Sequence, residues 1–285
     1  SLDRGTGIVA ISPPITRTDR GSGTAIAESP RDANVLYAGT DDGALFGSKD
    51  GGHTWQDLWP LEAAAEGGAA VDASAAKGPS DGDHKAIAGT ALRDLVPAPR
   101  WVSSIEASRF ADGRAYVTLD AHRSNDDAPY VVATEDHGAT WRSLTANLPR
   151  GSTRFIREDI ANENLLYLGT EFGFWVSIDR GQSWTRFHGT KDSGGLPTVA
   201  VHDVAQHPTT GEVVLATHGR SLWCFDATWL RQITPDASAK PAQLFDQRAQ
   251  VQNVLPQDLP AAEGQQLLGE RGGPLSGLLD GQKIG

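Results

Sequence analysis

Four acidic residues stand at matched places in stretches that read as strands: Glu28, Glu158, Asp159 and Asp203. Two carboxyl groups facing each other across a sugar can act as the acid and base, or acid and nucleophile, of glycoside hydrolysis, and their separation decides the stereochemical outcome. The same groups could equally be solvated, or hydrogen-bonded between neighbouring elements. A second acidic set, Asp50, Asp136 and Asp179, recurs inside a repeated octapeptide. It offers carboxylate chemistry or metal ligation by residue type, but repetition in one local setting points to a structural role. The run Asp120-Ala121-His122-Arg123-Ser124-Asn125-Asp126-Asp127 would suit calcium by ligand type and lacks the EF-hand spacing. His202 and His207 have opposite strand parity and make no zinc spacing with His218. No Ser-His-Asp pattern, phosphate loop or dinucleotide fingerprint appears, so neither a cofactor nor a metal is expected.

These residues must be positioned by the repeat. Ser48-Lys49-Asp50-Gly51-Gly52-His53-Thr54-Trp55 returns as Thr134-Glu135-Asp136-His137-Gly138-Ala139-Thr140-Trp141 and as Ser177-Ile178-Asp179-Arg180-Gly181-Gln182-Ser183-Trp184. Asp in a turn accepts hydrogen bonds from backbone N–H groups a residue or two further on. The glycines Gly52, Gly138 and Gly181 can take positive φ without a Cβ penalty. Trp55, Trp141 and Trp184 open the following strand and give it a large apolar plate. Around these corners the chain predicts four short strands per unit, with β-branched and aromatic residues separated by Gly, Asn, Asp and Pro. The units run over 24–58, 102–144 and 154–188, with a fourth from 201 to 226 that lacks the octapeptide. Repeats of this length mean a propeller or an array. The fold class is all-β: a β-propeller of four-stranded antiparallel blades, with about four blades and a leading strand at Gly7–Ser12.

The octapeptide resembles the Asp-box, or BNR repeat, of sialidases, xyloglucanase-type glycoside hydrolases and sortilin/Vps10 receptors. Longer phrases, among them Ile105-Glu106-Ala107-Ser108-Arg109-Phe110, Leu166-Tyr167-Leu168-Gly169-Thr170-Glu171-Phe172-Gly173 and Thr217-His218-Gly219-Arg220, are similar to those of large secreted bacterial BNR-repeat proteins. The resemblance covers about residues 7–234. It implies the propeller and an extracytoplasmic (periplasmic or secreted) setting, without implying one activity. Sialidase chemistry uses a Tyr nucleophile beside a carboxylate, but Tyr37, Tyr116 and Tyr167 share one repeat position in apolar strands and Tyr130 opens another strand. All four read as structural.

Net charge is −11 and no basic stripe stands out, which excludes nucleic-acid binding. No apolar run is long enough to span a bilayer. The single cysteine, Cys224, allows no intrachain disulfide and reads as a small buried hydrophobe. Residues 1–234 are expected to form a partial Asp-box propeller, interrupted at about 61–100 by an Ala/Gly-rich, low-complexity insertion. Residues 235–285 are expected to form an extended Pro/Gln/Gly-rich arm. A closed ring usually has more blades, so the expectation is a segment of a larger polypeptide or a processed product. Its open sheet edge would be covered by another subunit or by the rest of its own polypeptide, and the arm could join it to a membrane complex. Two functions follow: a non-catalytic protein-binding scaffold, or a glycoside-hydrolase fragment using Glu28, Glu158, Asp159 and Asp203.

Overall fold

The computed structural model describes residues 9–60, 90–189, 195–234 and 244–245. Four antiparallel sheets follow one another along the chain, each strand paired with its sequence neighbours. Blade 1 is β1 (Gly23–Glu28), β2 (Leu36–Thr40), β3 (Leu45–Ser48) and β4 (Gln56–Asp57). Blade 2 is β5 (Trp101–Ala107), β6 (Ala115–Asp120), β7 (Tyr130–Thr134) and β8 (Arg142–Ser143). Blade 3 is β9 (Thr153–Glu158), β10 (Leu166–Thr170), β11 (Gly173–Ser177) and β12 (Thr185–Phe187). Blade 4 is β13 (Val201–Gln206), β14 (Glu212–Thr217) and β15 (Leu222–Asp226), without a fourth strand among the described residues. The chain is all-β, as the repeat requires. First strands pack in succession, β1 on β5, β5 on β9 and β9 on β13.

Alternation of side chains places one apolar row of each blade against the blade before and the other against the blade after. Blades 1 and 2 enclose Tyr37, Leu45, Ile105, Val117 and Val132. Blades 2 and 3 enclose Tyr116, Val131, Ile156 and Leu168, and blades 3 and 4 enclose Tyr167, Phe174, Val204, Leu215 and Phe225.

The three Asp-box corners are built alike. The first-position hydroxyl accepts the glycine N–H, from Gly52 to Ser48 (2.9 Å), Gly138 to Thr134 (2.8 Å) and Gly181 to Ser177 (2.7 Å). Each Asp reaches four residues along, accepting the N–H of Thr54 (2.8 Å), Thr140 (2.8 Å) or Ser183 (2.9 Å) and the hydroxyl of the same residue. That is further than the one or two residues expected, because a second left-handed residue (Gly51, His137 or Arg180) precedes each glycine and lengthens the loop. Each glycine is also the contact point between blades. A Cβ on Gly138 would lie 2.6 Å from Leu58 of blade 1, and one on Gly181 2.9 Å from Leu144 of blade 2.

Several expectations need correction. Residues 9–12 of the leading strand form no strand, since no partner strand adjoins them among the described residues; residues 7 and 8 lie outside the described residues. Ile11 nevertheless packs on Gly52, whose added Cβ would meet its carbonyl at 3.0 Å, as Leu58 and Leu144 pack on the other two glycines. The end of the 61–100 insertion belongs to the core. A short helix α1 (Leu92–Leu95) buries Leu92, Val96 is buried beside it, and Thr90 bridges to Trp141. Residues 61–89, and the arm 235–285 apart from 244–245, lie outside the described residues. Cys224 is exposed, because its side of β15 meets no further blade among the described residues.

Two measurements check the corner. Gly138→Ala, strained at φ +89° and obstructed by Leu58, should cost about 2–4 kcal/mol in urea unfolding. Gly51→Ala, strained at φ +71° but meeting nothing closer than Asn34 Oδ1 at 3.4 Å, should cost about 1 kcal/mol. Hydrogen bonds from Thr54 hold Asp50 down to about 2. Burial pushes Asp136 and Asp179 up, but bonds from Thr140 and Ser183 outweigh it and leave both lowered. A carboxyl lowered on folding stabilises above its unfolded value, so this contribution is lost as pH falls from about 4 towards 2. Urea midpoints should drop across that window, and less so in Asp179→Asn.

Candidate functional site

A second repeated corner, at the turn after each first strand, fixes the alignment of the blades. Ser29, Ser108, Asp159 and His207 each accept backbone N–H groups from the residues two and three further on, at 2.8–3.4 Å. Counting back one residue gives Glu28, Ala107, Glu158 and Gln206, and two residues gives Ala27, Glu106, Arg157 and Ala205. Strand register agrees: Glu28 lies opposite Leu36 and Glu158 opposite Leu166, while Glu106 and Arg157 lie opposite Tyr116 and Tyr167.

Glu28 and Glu158 are therefore equivalent, as the sequence suggested, but they do not share a space. Glu158 is fully buried between blades 2 and 3, where it accepts the Ser108 hydroxyl (2.8 and 2.9 Å), the Arg109 N–H (2.9 Å) and the Tyr116 hydroxyl (3.3 Å). Burial pushes its carboxyl up, opposed by those hydrogen bonds. Asp159 is also fully buried and, besides capping its own turn, accepts the Tyr167 hydroxyl (2.8 Å) and Arg231 Nε (2.9 and 3.0 Å). Glu28 is exposed. Asp203, more than half exposed, pairs with Arg157 at 3.0 Å. The four glycosidase candidates thus form no common site. Their side chains belong to positions of different parity, and a one-residue step along a strand reverses the face.

The acidic residue that shares Arg157 with Asp203 across the first strands is Glu106, which the sequence reading did not name as a candidate. Arg157 lies between them: its Nη2 is 3.0 Å from Asp203, its Nε 3.8 Å from Glu106, and its Nη1 donates to Ser104 Oγ at 2.7 Å. Glu106 also accepts the Glu158 N–H at 3.4 Å. Desolvation lifts the Glu106 carboxyl to about 7, against the pull of Arg157. It can therefore give or take a proton near neutrality, beside a carboxylate paired with a guanidinium. The turn alignment, which places Glu106 level with Arg157, was the signal that could have found it.

The remaining candidates are tied into the fold. Asp120 accepts from His122 and Arg154, and Asp126 accepts from Arg100, Tyr130 and the Ala128 N–H. No cluster of three metal-ligating groups occurs among the described residues. His202 and His218 face each other with ring centroids 5.4 Å apart, while His207 caps its turn. Tyr37, Tyr116, Tyr130 and Tyr167 are all buried. Two hollows, one beside the first Asp-box and one beside α1, hold about 190 Å³ each. Small-molecule pockets are typically larger, from about 300 Å³ upward.

No family model and no curated protein matches the chain. Among solved structures, it is similar to YCF48 from Cyanidioschyzon merolae, with 16% identity and a TM-score of 0.46 over 74% of this chain and 55% of that one. It is similar to the xyloglucanase from Xanthomonas campestris with 16% identity and a TM-score of 0.48, over 72% of this chain and 29% of that one. A structure of YCF48 bound to a D1 peptide has 14% identity and a TM-score of 0.41, over 75% of this chain and 57% of that one. The chain thus spans less than two thirds of each.

The proton on Glu106 gives a pH test. Its carboxyl binds the proton more tightly folded than unfolded, so stability should fall as pH rises from about 4.5 to 7 and level off above. Glu106→Gln should remove the Glu106 share of that fall and leave the share due to Glu158, seen as urea midpoints that approach the parent's near pH 4 and exceed them at pH 8.

Proposed function

We propose that the chain is a non-catalytic β-propeller scaffold that binds other protein surfaces through the open ends of its run of blades. One internal comparison carries this reading. Ile26, Ile105, Ile156 and Val204 are equivalent residues, lying opposite Ala38, Val117, Leu168 and Leu215. The three with a blade in front of them are 5%, 0% and 7% exposed, whereas Ile26 is 77% exposed. Blade 4 ends the same way, with Leu222 and Cys224 exposed on its far side. Sheet faces of this composition normally end in contact. The commitment of Glu158 and Asp159 to hydrogen bonds between and within blades supports a scaffold over an enzyme. An extracytoplasmic setting, sortilin-like kinship and a role for the 235–285 arm in reaching a partner or a membrane complex belong to the same proposal, resting on the BNR resemblance and on composition.

One arrangement favours glycoside hydrolysis as a second reading: Glu106, whose carboxyl desolvation lifts to about 7, sits across Arg157 from Asp203. The two readings separate experimentally. Under the scaffold reading, a photo-crosslinking amino acid at position 26 or 222 should give protein adducts in the source cell, with none from the exposed position of His53. The purified chain should release no reducing sugar from a broad polysaccharide panel. Cleavage abolished by Glu106→Gln or Asp203→Asn, with no adducts at either position, would establish the enzyme instead.

A further inference from the structure

Glu28 is the exposed copy of a residue that elsewhere joins one blade to the one before it. Glu158 reaches back to blade 2 and accepts the N–H of Arg109, the residue after the turn-capping Ser108, together with the Ser108 hydroxyl. Gln206 reaches back to blade 3 in the same way. It accepts the N–H of Ile160, the residue after the turn-capping Asp159, at 3.1 Å, and donates to the Glu158 carbonyl at 2.8 Å. The exception follows the same rule. In blade 1 the residue after turn-capping Ser29 is Pro30, which has no N–H, and blade 2 carries Ala107 at the reaching position. The Tyr37 hydroxyl, whose counterpart on Tyr116 bonds Glu158, is correspondingly buried without a partner among the described residues.

Blade 1 itself carries Glu28, so its turn partner should be of the donor kind. We propose, on the scaffold reading, that the blade 1 face bearing Ile26 and Glu28 is an interface for a further four-stranded blade. The first-strand turn of that blade has a hydroxyl residue followed by a residue other than proline. Glu28 then accepts a hydroxyl and an N–H, and Ile26 is covered as Ile105 and Ile156 are. Ile11 marks where the outer strand of that blade runs, since it stands over Gly52 as Leu58 stands over Gly138. Its carbonyl accepts Trp55 Nε1 at 2.7 Å, as the Leu144 carbonyl accepts Trp184 Nε1 at 2.6 Å. Blade 4 of a second copy does not meet the requirement: its capping His207 is followed by Pro208, which would leave Glu28 without an N–H.

The test supplies such a blade. A second copy of residues 101–150, whose turn holds Ser108 and Arg109, replaces residues 1–12 at the head of the otherwise full chain. Ile26→Cys, in a Cys224→Ser background, reports burial through its rate of maleimide labelling. Labelling should slow by about tenfold or more in the fusion, the usual consequence of covering a site that then opens only by local unfolding. The slowing should be lost when the added copy alone carries Arg109→Pro, or when Glu28 becomes Ala; Glu28→Ala without the fusion should leave unfolding unchanged. Equal labelling with and without the added blade overturns the proposal, as does protection that survives both substitutions. A dimer of the unfused chain in sedimentation, dissolved by Ile26→Asp, also overturns it by making a second copy the occupant. None of these results bears on polysaccharide cleavage, so the scaffold reading fails or stands separately.

Discussion

Everything in this molecule is spaced by a glycine pressed against a branched side chain. Gly138 and Gly181 sit at positive φ under Leu58 and Leu144, closer than a Cβ would permit. The Ser or Thr and Asp of each corner hold the glycine there through bonds that never leave the loop. A hairpin that is rigid on its own can seat its neighbour at a fixed distance. The apolar rows between blades then meet in register, and burial supplies most of the cohesion.

Much of this was legible in the residues. The corners, the four units, their strands and the structural tyrosines all follow from composition and period, because turn chemistry is local and a repeated pattern reports it several times over. Parity was harder. Glu28 and Glu158 are equivalent, yet the acidic group that lies near Asp203 through Arg157 is Glu106, which belongs to the position one residue earlier. Each first strand carries an irregularity of register near its start, such as that between Val102 and Ser104, so counting from the start of the strand misassigns faces. The turns at the other end, capped by Ser29, Ser108, Asp159 and His207, give the dependable count.

Local composition also misled where packing decides. Residues 90–100 follow an Ala/Gly-rich stretch and read as part of an insertion, but Leu92 and Val96 find a place against blades 1 and 2. Cys224 has the composition of a core residue and lies in a strand of core-like sequence. Its exposure depends on which blade stands beside it, and that is decided by the arrangement of sheets and not by the strand itself.

The pairing of Pro30 with Ala107, set beside that of Arg109 with Glu158 and Ile160 with Gln206, means that the blades are not interchangeable parts. Each joint is keyed, an acceptor being present where the neighbouring turn has a hydrogen to give and absent where proline withholds it. A shuffled order would mate a buried carboxylate with an imino acid. A change in one turn thus bears on a position roughly fifty to eighty residues further along the chain, and the serial order of the repeats is written into their chemistry.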